Sequence, residues 1–307
     1  MTPSDLLDLV LAPAQPFPRG DLKGFLKASI HVQSSLPSDF DRLAARAAMA
    51  GGRLEAGAAG HQSAIRRLFP TTPEDAVTAF CVSEDKGPKP SAILASLVQD
   101  GDGWRLNGMK RWGSMSPVAD ILYIAASIGE QDGRNQLRMV RLPKAASGVT
   151  VDTSPYERYV DHMPIADIRL TDVHVKDEDV LKSDAYVSFI KPFRLIEDVY
   201  SVAALQIAIF RLGRRCGWPE DLLEDILGLV MQAHVISQTA MDRPGDVLLM
   251  SAYFRASISL WSRLDEGWRL TPESDRAAFA PETGLLGVAA RAREARRQAA
   301  WRDLTSG

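Results

Sequence analysis

Residues Ala79 to Ser127, AFCVSEDKGPKPSAILASLVQDGDGWRLNGMKRWGSMSPVADILYIAAS, read as a run of β-strands joined by tight turns, while the sequence on both sides reads as helix. Ser96 to Gln99 is predicted as a strand, Asp100-Gly101-Asp102-Gly103 as a turn, and Trp104 to Asn107 as the returning strand. The Asp-Gly pair supplies the positive φ that a two-residue hairpin loop needs. Lys110-Arg111-Trp112-Gly113-Ser114 then leads into Ala119 to Ala126, an apolar run suited to a buried strand and too short to span a bilayer.

Working outward, residues 1 to about 78 read as helices. Leu6, Leu7, Leu9, Val10 and Leu11 begin an apolar face that Pro13, Pro16 and Pro18 stop. Ser38 or Asp39 is placed to cap a helix through Met49, and Arg53 to Leu68 forms another before Pro70. Downstream, helices are predicted over Phe193–Arg215, Pro219–Ala240, Val247–Trp268 and Thr283–Trp301, with Pro219 at an N1 position. The expected architecture is α+β: an N-terminal helical domain over 1–78, a β-barrel-like module over 79–184 and a helical bundle over 185–307.

Composition limits the function. The chain has 307 residues, 46% hydrophobic and 24% charged, which is ordinary for a globular protein with sizeable cores. A net charge of -3 argues against nucleic-acid binding, which needs a surplus of Lys and Arg on one face. The Arg-rich end (Arg291, Arg293, Arg296, Arg297, Arg302) is read as a solvated helix face or a subunit contact. No signal peptide and no membrane span are evident, and two cysteines, Cys81 and Cys216, fit a reducing, cytoplasmic setting. The five histidines (His31, His61, His162, His174, His234) show no metal-ligand spacing, so no metal site is expected. Tyr156, Tyr159 and His162 lie in a polar loop read as packed rather than substrate-binding.

Four pieces of the β-module occur in an order that resembles the middle domain of the acyl-CoA dehydrogenase family, flavoproteins that desaturate acyl thioesters. They are Val82-Ser83-Glu84, an Asn-Gly-x-Lys turn at Asn107–Lys110, the tripeptide Trp112-Gly113-Ser114, and a strand opening at Ala119-Asp120. Ile168 to Val175 and Val180-Leu181 are similar to the strands that close that domain, and Gly60 to Pro70 to the helix that leads into it. The resemblance implies FAD as cofactor, an acyl-CoA or related thioester as substrate, and a homo-oligomer or a complex with a family relative. It places Ser83 and Ser114 against the edge of the flavin ring, where a small donor can bond without displacing it, and Trp112 beside the ring. Without it, a Trp at a strand start reads as core and the serines as ordinary surface residues.

Such chemistry also needs a base for the α-proton. One subgroup of the family uses a Glu early in the first long C-terminal helix, and Glu197-Asp198-Val199-Tyr200-Ser201-Val202-Ala203-Ala204 resembles that segment, with Asp198 in place of an Arg. Glu197 is therefore the candidate base. The competing reading makes Glu197 and Asp198 an acidic first turn that favours the helix dipole or pairs with Arg194.

The departures concern the cofactor. Gly87-Pro88-Lys89 replaces a Gly-Ser-Asp loop, which removes a backbone donor and reverses a charge. Gly213 to Pro219 stands in for a longer Arg-x-x-Phe-Gly segment, and the family's Gly-Gly-x-Gly and Glu-Gly-Thr segments have no counterpart. Charge-assisted contacts of the kind lost there contribute about 1.5–3 kcal/mol each. Three readings stay open: a shortened FAD-dependent dehydrogenase, a family-derived subunit that has lost its FAD site and acts as a partner or regulator, and a flavin-dependent monooxygenase of the same fold.

Overall fold

A computed structural model describes residues 2–13, 15–28, 36–159, 163–279 and 290–305, which group into two compact units. One comprises Met1–Ala64 and Leu195–Gly307; the other is Ile65–Arg194. His31 and His162 lie outside the described residues, as does the first part of the helix expected from Thr283.

The unit Ile65–Arg194 is built on β1 (Thr78–Cys81), β2 (Ser96–Asp100), β3 (Gly103–Ser114), β4 (Ile121–Gln131), β5 (Arg134–Pro143), β6 (Val149–Asp152), β7 (Ile165–Lys176) and β8 (Val180–Leu181). They form one mixed sheet in the order β6-β7-β3-β2-β4-β5-β8, with β1 lying parallel to β4. The β2–β3 hairpin closes where expected: Asp100 pairs with Gly103, and Gly101 takes φ +63°. A second hairpin, β4–β5, turns through Asp132 and Gly133, both at positive φ, as a two-residue loop requires.

Asn107–Lys110 is not a turn. It runs inside β3 and pairs with β7. Gly108, at φ +140°, lets the strand bend without reversing: a Cβ there would sit 2.6 Å from Ala95 Cα. Opposite it β7 bulges at Asp172 (φ +53°), whose N–H donates to Asn107 Oδ1 at 2.7 Å.

Aromatic rings fill the core of this unit. Phe69 stacks on Tyr123 at 3.8 Å and on Phe189 at 4.8 Å, and Phe80 meets Phe193 at 4.2 Å. The Tyr123 phenol and Thr72 hydroxyl share a 2.7 Å hydrogen bond, which keeps the buried oxygen satisfied. Arg66 donates to the carbonyls of Pro73, Glu74 and Ala76, so one guanidinium ties down the loop before β1.

The other unit is helical. Its elements are α1 (Pro3–Leu11), α2 (Leu22–Ala28), α3 (Asp39–Ala48), α4 (Arg53–Leu68, through Ala64), α5 (Lys191–Cys216, from Leu195), α6 (Glu220–Ser237), α7 (Pro244–Trp261), α8 (Asp265–Leu270), α9 (Glu273–Phe279) and α10 (Ala290–Thr305). Ser38, not Asp39, caps α3, exchanging bonds with Asp41 in a capping box. Pro219 is the residue before α6, one place earlier than expected. The helix predicted from Val247 to Trp268 breaks after Trp261 and resumes at Asp265, and the Trp218 ring packs on Gly267 of the second piece. A Cβ on Gly267 would lie 2.4 Å from that ring, and the Trp218 indole donates to Thr271 Oγ1 at 2.8 Å. Gln206 of α5 bonds Ser257 and Tyr253 of α7, a buried polar link between two helices.

Candidate functional site

Ser83 lies two residues after β1, and its carbonyl accepts the Arg111 N–H at 2.9 Å, which ties the Ser83 segment to β3 one residue before Trp112. The next residue, Glu84, points inward. Its carboxylate accepts from the Leu94 and Ala95 N–H groups at 2.8 and 3.0 Å and from Lys110 Nζ at 2.6 Å. Lys110 is fully enclosed and also donates to Val82 O. Burial pulls the Lys110 ammonium below its ordinary range while Glu84 opposes that shift. The neighbouring Cys81 thiol is pushed up to about 12 by burial, with Lys110 pulling the other way. This pair fixes the distance between the Val82–Glu84 segment and β3.

Beyond Lys110 the strand bulges. Lys110 pairs with Ile168 and Gly113 with Ala166, so Arg111 and Trp112 together face the single residue Asp167. Trp112 takes φ +54°, an uncommon conformation for a bulky residue, and its side chain is left 50% exposed. Its N–H donates to the Tyr156 oxygen at 3.4 Å, and the Tyr156 hydroxyl donates to Asp167 Oδ1 at 2.7 Å. Arg111 completes the network, donating to Asp85 at 2.7 Å and to the buried Asp167. Burial, followed by the bond to Asp167, pushes the Tyr156 phenol up to about 12. Gly113 follows in a crowded place: a Cβ there would meet Ile168 Cδ1 at 2.6 Å and Ala166 O at 3.2 Å.

Ser83, Trp112 and Ser114 are the residues that the resemblance places beside a flavin ring. Ser83 and Ser114 are half-buried, and among the described residues neither hydroxyl has a hydrogen-bond partner. A large indole is thus held half exposed at a strained backbone position, flanked in sequence by two uncommitted hydroxyls. The segment matched to the family's missing FAD contacts is differently employed. Arg214 donates to Leu11 O at 2.7 Å and Arg215 pairs with Asp275 at 3.5 Å, so both guanidinium groups are engaged within the helical unit.

Glu197 belongs to the helical unit, apart in the chain from the three sheet residues. It does not stand in a first helical turn, because α5 begins at Lys191 after a π-helical turn, Tyr186–Ile190. The dipole reading therefore fails. Its Oε1 lies 2.7 Å from His61 Nδ1 of α4; the imidazole is buried and the Glu197 side chain partly exposed. Asp198 instead faces Arg293 and Arg296 of α10, at 3.6 and 3.8 Å, and Arg293 also covers the Phe254 ring at 4.7 Å. Two of the C-terminal arginines thus hold α10 to the rest of their own unit.

Comparison with known proteins bears on the fold. Residues 79–173 match the model of the acyl-CoA dehydrogenase middle domain. A curated relative, benzylmalonyl-CoA dehydrogenase of Aromatoleum aromaticum, is 23% identical over 166 residues, covering 52% of this chain and 43% of its own. The chain thus matches less than half the length of that relative. Among solved structures, butyryl-CoA dehydrogenase of Megasphaera elsdenii superposes with a TM-score of 0.58 at 13% identity, over 98% of this chain and 96% of that one. KijD3, solved with FMN and a dTDP-linked amino-keto sugar, superposes with a TM-score of 0.57 at 14% identity, over 88% and 82% of the two chains. The fold is that of the acyl-CoA dehydrogenases, α+β with a mixed sheet between helical segments in sequence. Over residues 79–173 the chain is similar to the acyl-CoA dehydrogenase family.

Sequence reasoning singled out Ser83, Trp112 and Ser114 but passed over what supports them. Glu84 and Lys110 were both inside the quoted motifs, and an acid and a base flanking apolar strand residues signal an inward pair. Asp167 and Tyr156 carried no such signal, since only the bulge in β3 brings Asp167 opposite Arg111 and Trp112. His61 stood within the quoted helix, 136 residues from the carboxylate it meets.

Proposed function

We propose that the protein is a flavin-dependent oxidoreductase that desaturates an acyl thioester between its α and β carbons. Ser83 and Ser114 hold the edge of the ring through their hydroxyls, Trp112 covers it against water, and the Glu84–Lys110 pair keeps the two supporting segments in place. The bound flavin, FAD by family resemblance, supplies the hydride acceptor. The Glu197 carboxylate takes the α-proton as the carbon–carbon double bond forms. The observation that carries this reading is the half-exposed Trp112 at positive φ between two hydroxyls with no partner among the described residues. Assembly with a second copy or a relative completes the proposal, and the unpaired Cys81 and Cys216 support a reducing, cytoplasmic setting. Among the described residues, no helix is long and apolar enough to cross a membrane.

The test is the visible absorption spectrum of the purified protein before and after adding FAD, with FMN as a parallel arm. A bound flavin band is expected. Removing either serine hydroxyl is expected to weaken uptake by about two- to tenfold, as for one hydrogen bond. Colourless protein that takes up neither flavin would overturn the assignment. That result would favour the second reading, a partner subunit without its own cofactor, for which the internal engagement of Arg214 and Arg215 speaks.

A further inference from the structure

Helices α4 and α5 touch backbone to backbone one residue from His61. A Cβ on Gly60 would lie 2.6 Å from Ser201 Cα and 3.0 Å from Tyr200 O, so only glycine permits this approach. Ser201 stands one turn after Glu197 on α5. The contact thereby sets how far His61 on α4 reaches towards Glu197, and the result is the 2.7 Å separation of Nδ1 and Oε1.

The environment around the pair is asymmetric. The His61 side chain is 4% exposed and the Glu197 side chain 22%. The adjacent Asp198 is directed to Arg293 and Arg296, so the two neighbouring carboxylates are divided between different partners. An ionised carboxylate only accepts, which makes Nδ1 the protonated nitrogen when the bond forms. A bond to Oε1 from a ring locked by packing fixes the plane of the carboxylate, and with it the direction of Oε2.

We infer that His61 is the positioning residue of Glu197, holding the carboxylate in one orientation for proton abstraction, with the Gly60–Ser201 contact setting the distance. The inference rests on the proposed role of Glu197 as base. In the step itself the α-proton passes to the Glu197 carboxylate, and His61 keeps its own proton on Nδ1.

The experiment follows α-proton exchange into D2O with butyryl-, glutaryl- and benzylmalonyl-CoA, on the full chain with FAD added. The variants are His61→Leu, His61→Asn and Glu197→Gln. His61→Leu is expected to slow exchange at saturating thioester by about 10- to 100-fold, the scale of a misplaced reacting group. Its KM should stay within about twofold of wild type, since substrate binding is untouched. Asparagine keeps an N–H donor close to the position of Nδ1, and His61→Asn should recover most of the rate. Equal losses in both His61 variants would mean a merely structural role and overturn the inference. If Glu197→Gln is silent while His61→Leu exchanges at the wild-type rate, the inference alone fails. If Glu197→Gln exchanges normally, or no thioester exchanges in the wild type, the reading of Glu197 falls and takes the inference with it.

Discussion

Glu84 and Glu197 each lie within 2.7 Å of a basic nitrogen, yet the two pairs live in different surroundings. Lys110 is wholly enclosed, and Glu84 accepts two backbone N–H groups besides the ammonium, so the charges are matched inside the sheet unit. The Glu197 side chain keeps part of its surface in contact with solvent while its partner is buried. A sealed pair can only hold structure, because neither group can reach a substrate. An open carboxylate on a buried, fixed imidazole can do chemistry. The contrast teaches that solvent access, rather than proximity of opposite groups, separates a brace from a candidate base.

The largest test of this contrast is Lys110→Met. Leaving the Glu84 carboxylate buried without its partner should lower stability by about 3–5 kcal/mol. Urea unfolding would measure it, and the double variant Lys110→Met/Glu84→Leu should recover much of the loss. A loss near zero would mean that the pair is wetter than its burial indicates. His61→Leu should cost much less, about 1 kcal/mol in the same assay, because the Glu197 carboxylate can turn to water. Similar costs for the two variants would erase the distinction drawn here.

The smallest effect concerns Tyr156, which lies between the two extremes. Its phenol is raised to about 12 in the folded protein from an ordinary value near 10. The folded state therefore favours the neutral form. The stability this contributes is present below pH 10 and is lost as pH rises from 10 through about 12. Comparison of wild type with Tyr156→Phe by denaturant unfolding at pH 9 and pH 11 should show the difference between them shrinking at the higher pH. An unchanged difference would remove Tyr156 from the network around Asp167.

Much of the fold was legible because local rules govern it. The Asp100-Gly101 signal produced its hairpin, Arg53–Leu68 formed as read, and Ser38 supplied the cap. The misreadings arose where long-range packing decides. Asn-Gly resembles a turn dipeptide, but the close passage of Ala95 uses Gly108 to keep β3 running. The long helix expected from Val247 is interrupted between Trp261 and Asp265, and Trp218, some fifty residues from Gly267 in sequence, packs on its second piece. Asp132-Gly133 carried as strong a hairpin signal as the first and was not read.

By itself, the sequence determined the succession of helix and strand, the family resemblance and the four residues proposed for chemistry, since periodicity, turn residues and short motifs act within a few positions. Tertiary structure alone decided what holds those residues. The bulge opposing Asp167 to Arg111 and Trp112, the burial of Lys110 on Glu84, and the meeting of His61 with Glu197 all join segments far apart in the chain. Such contacts depend on strand register and helix contact, and no local pattern encodes either.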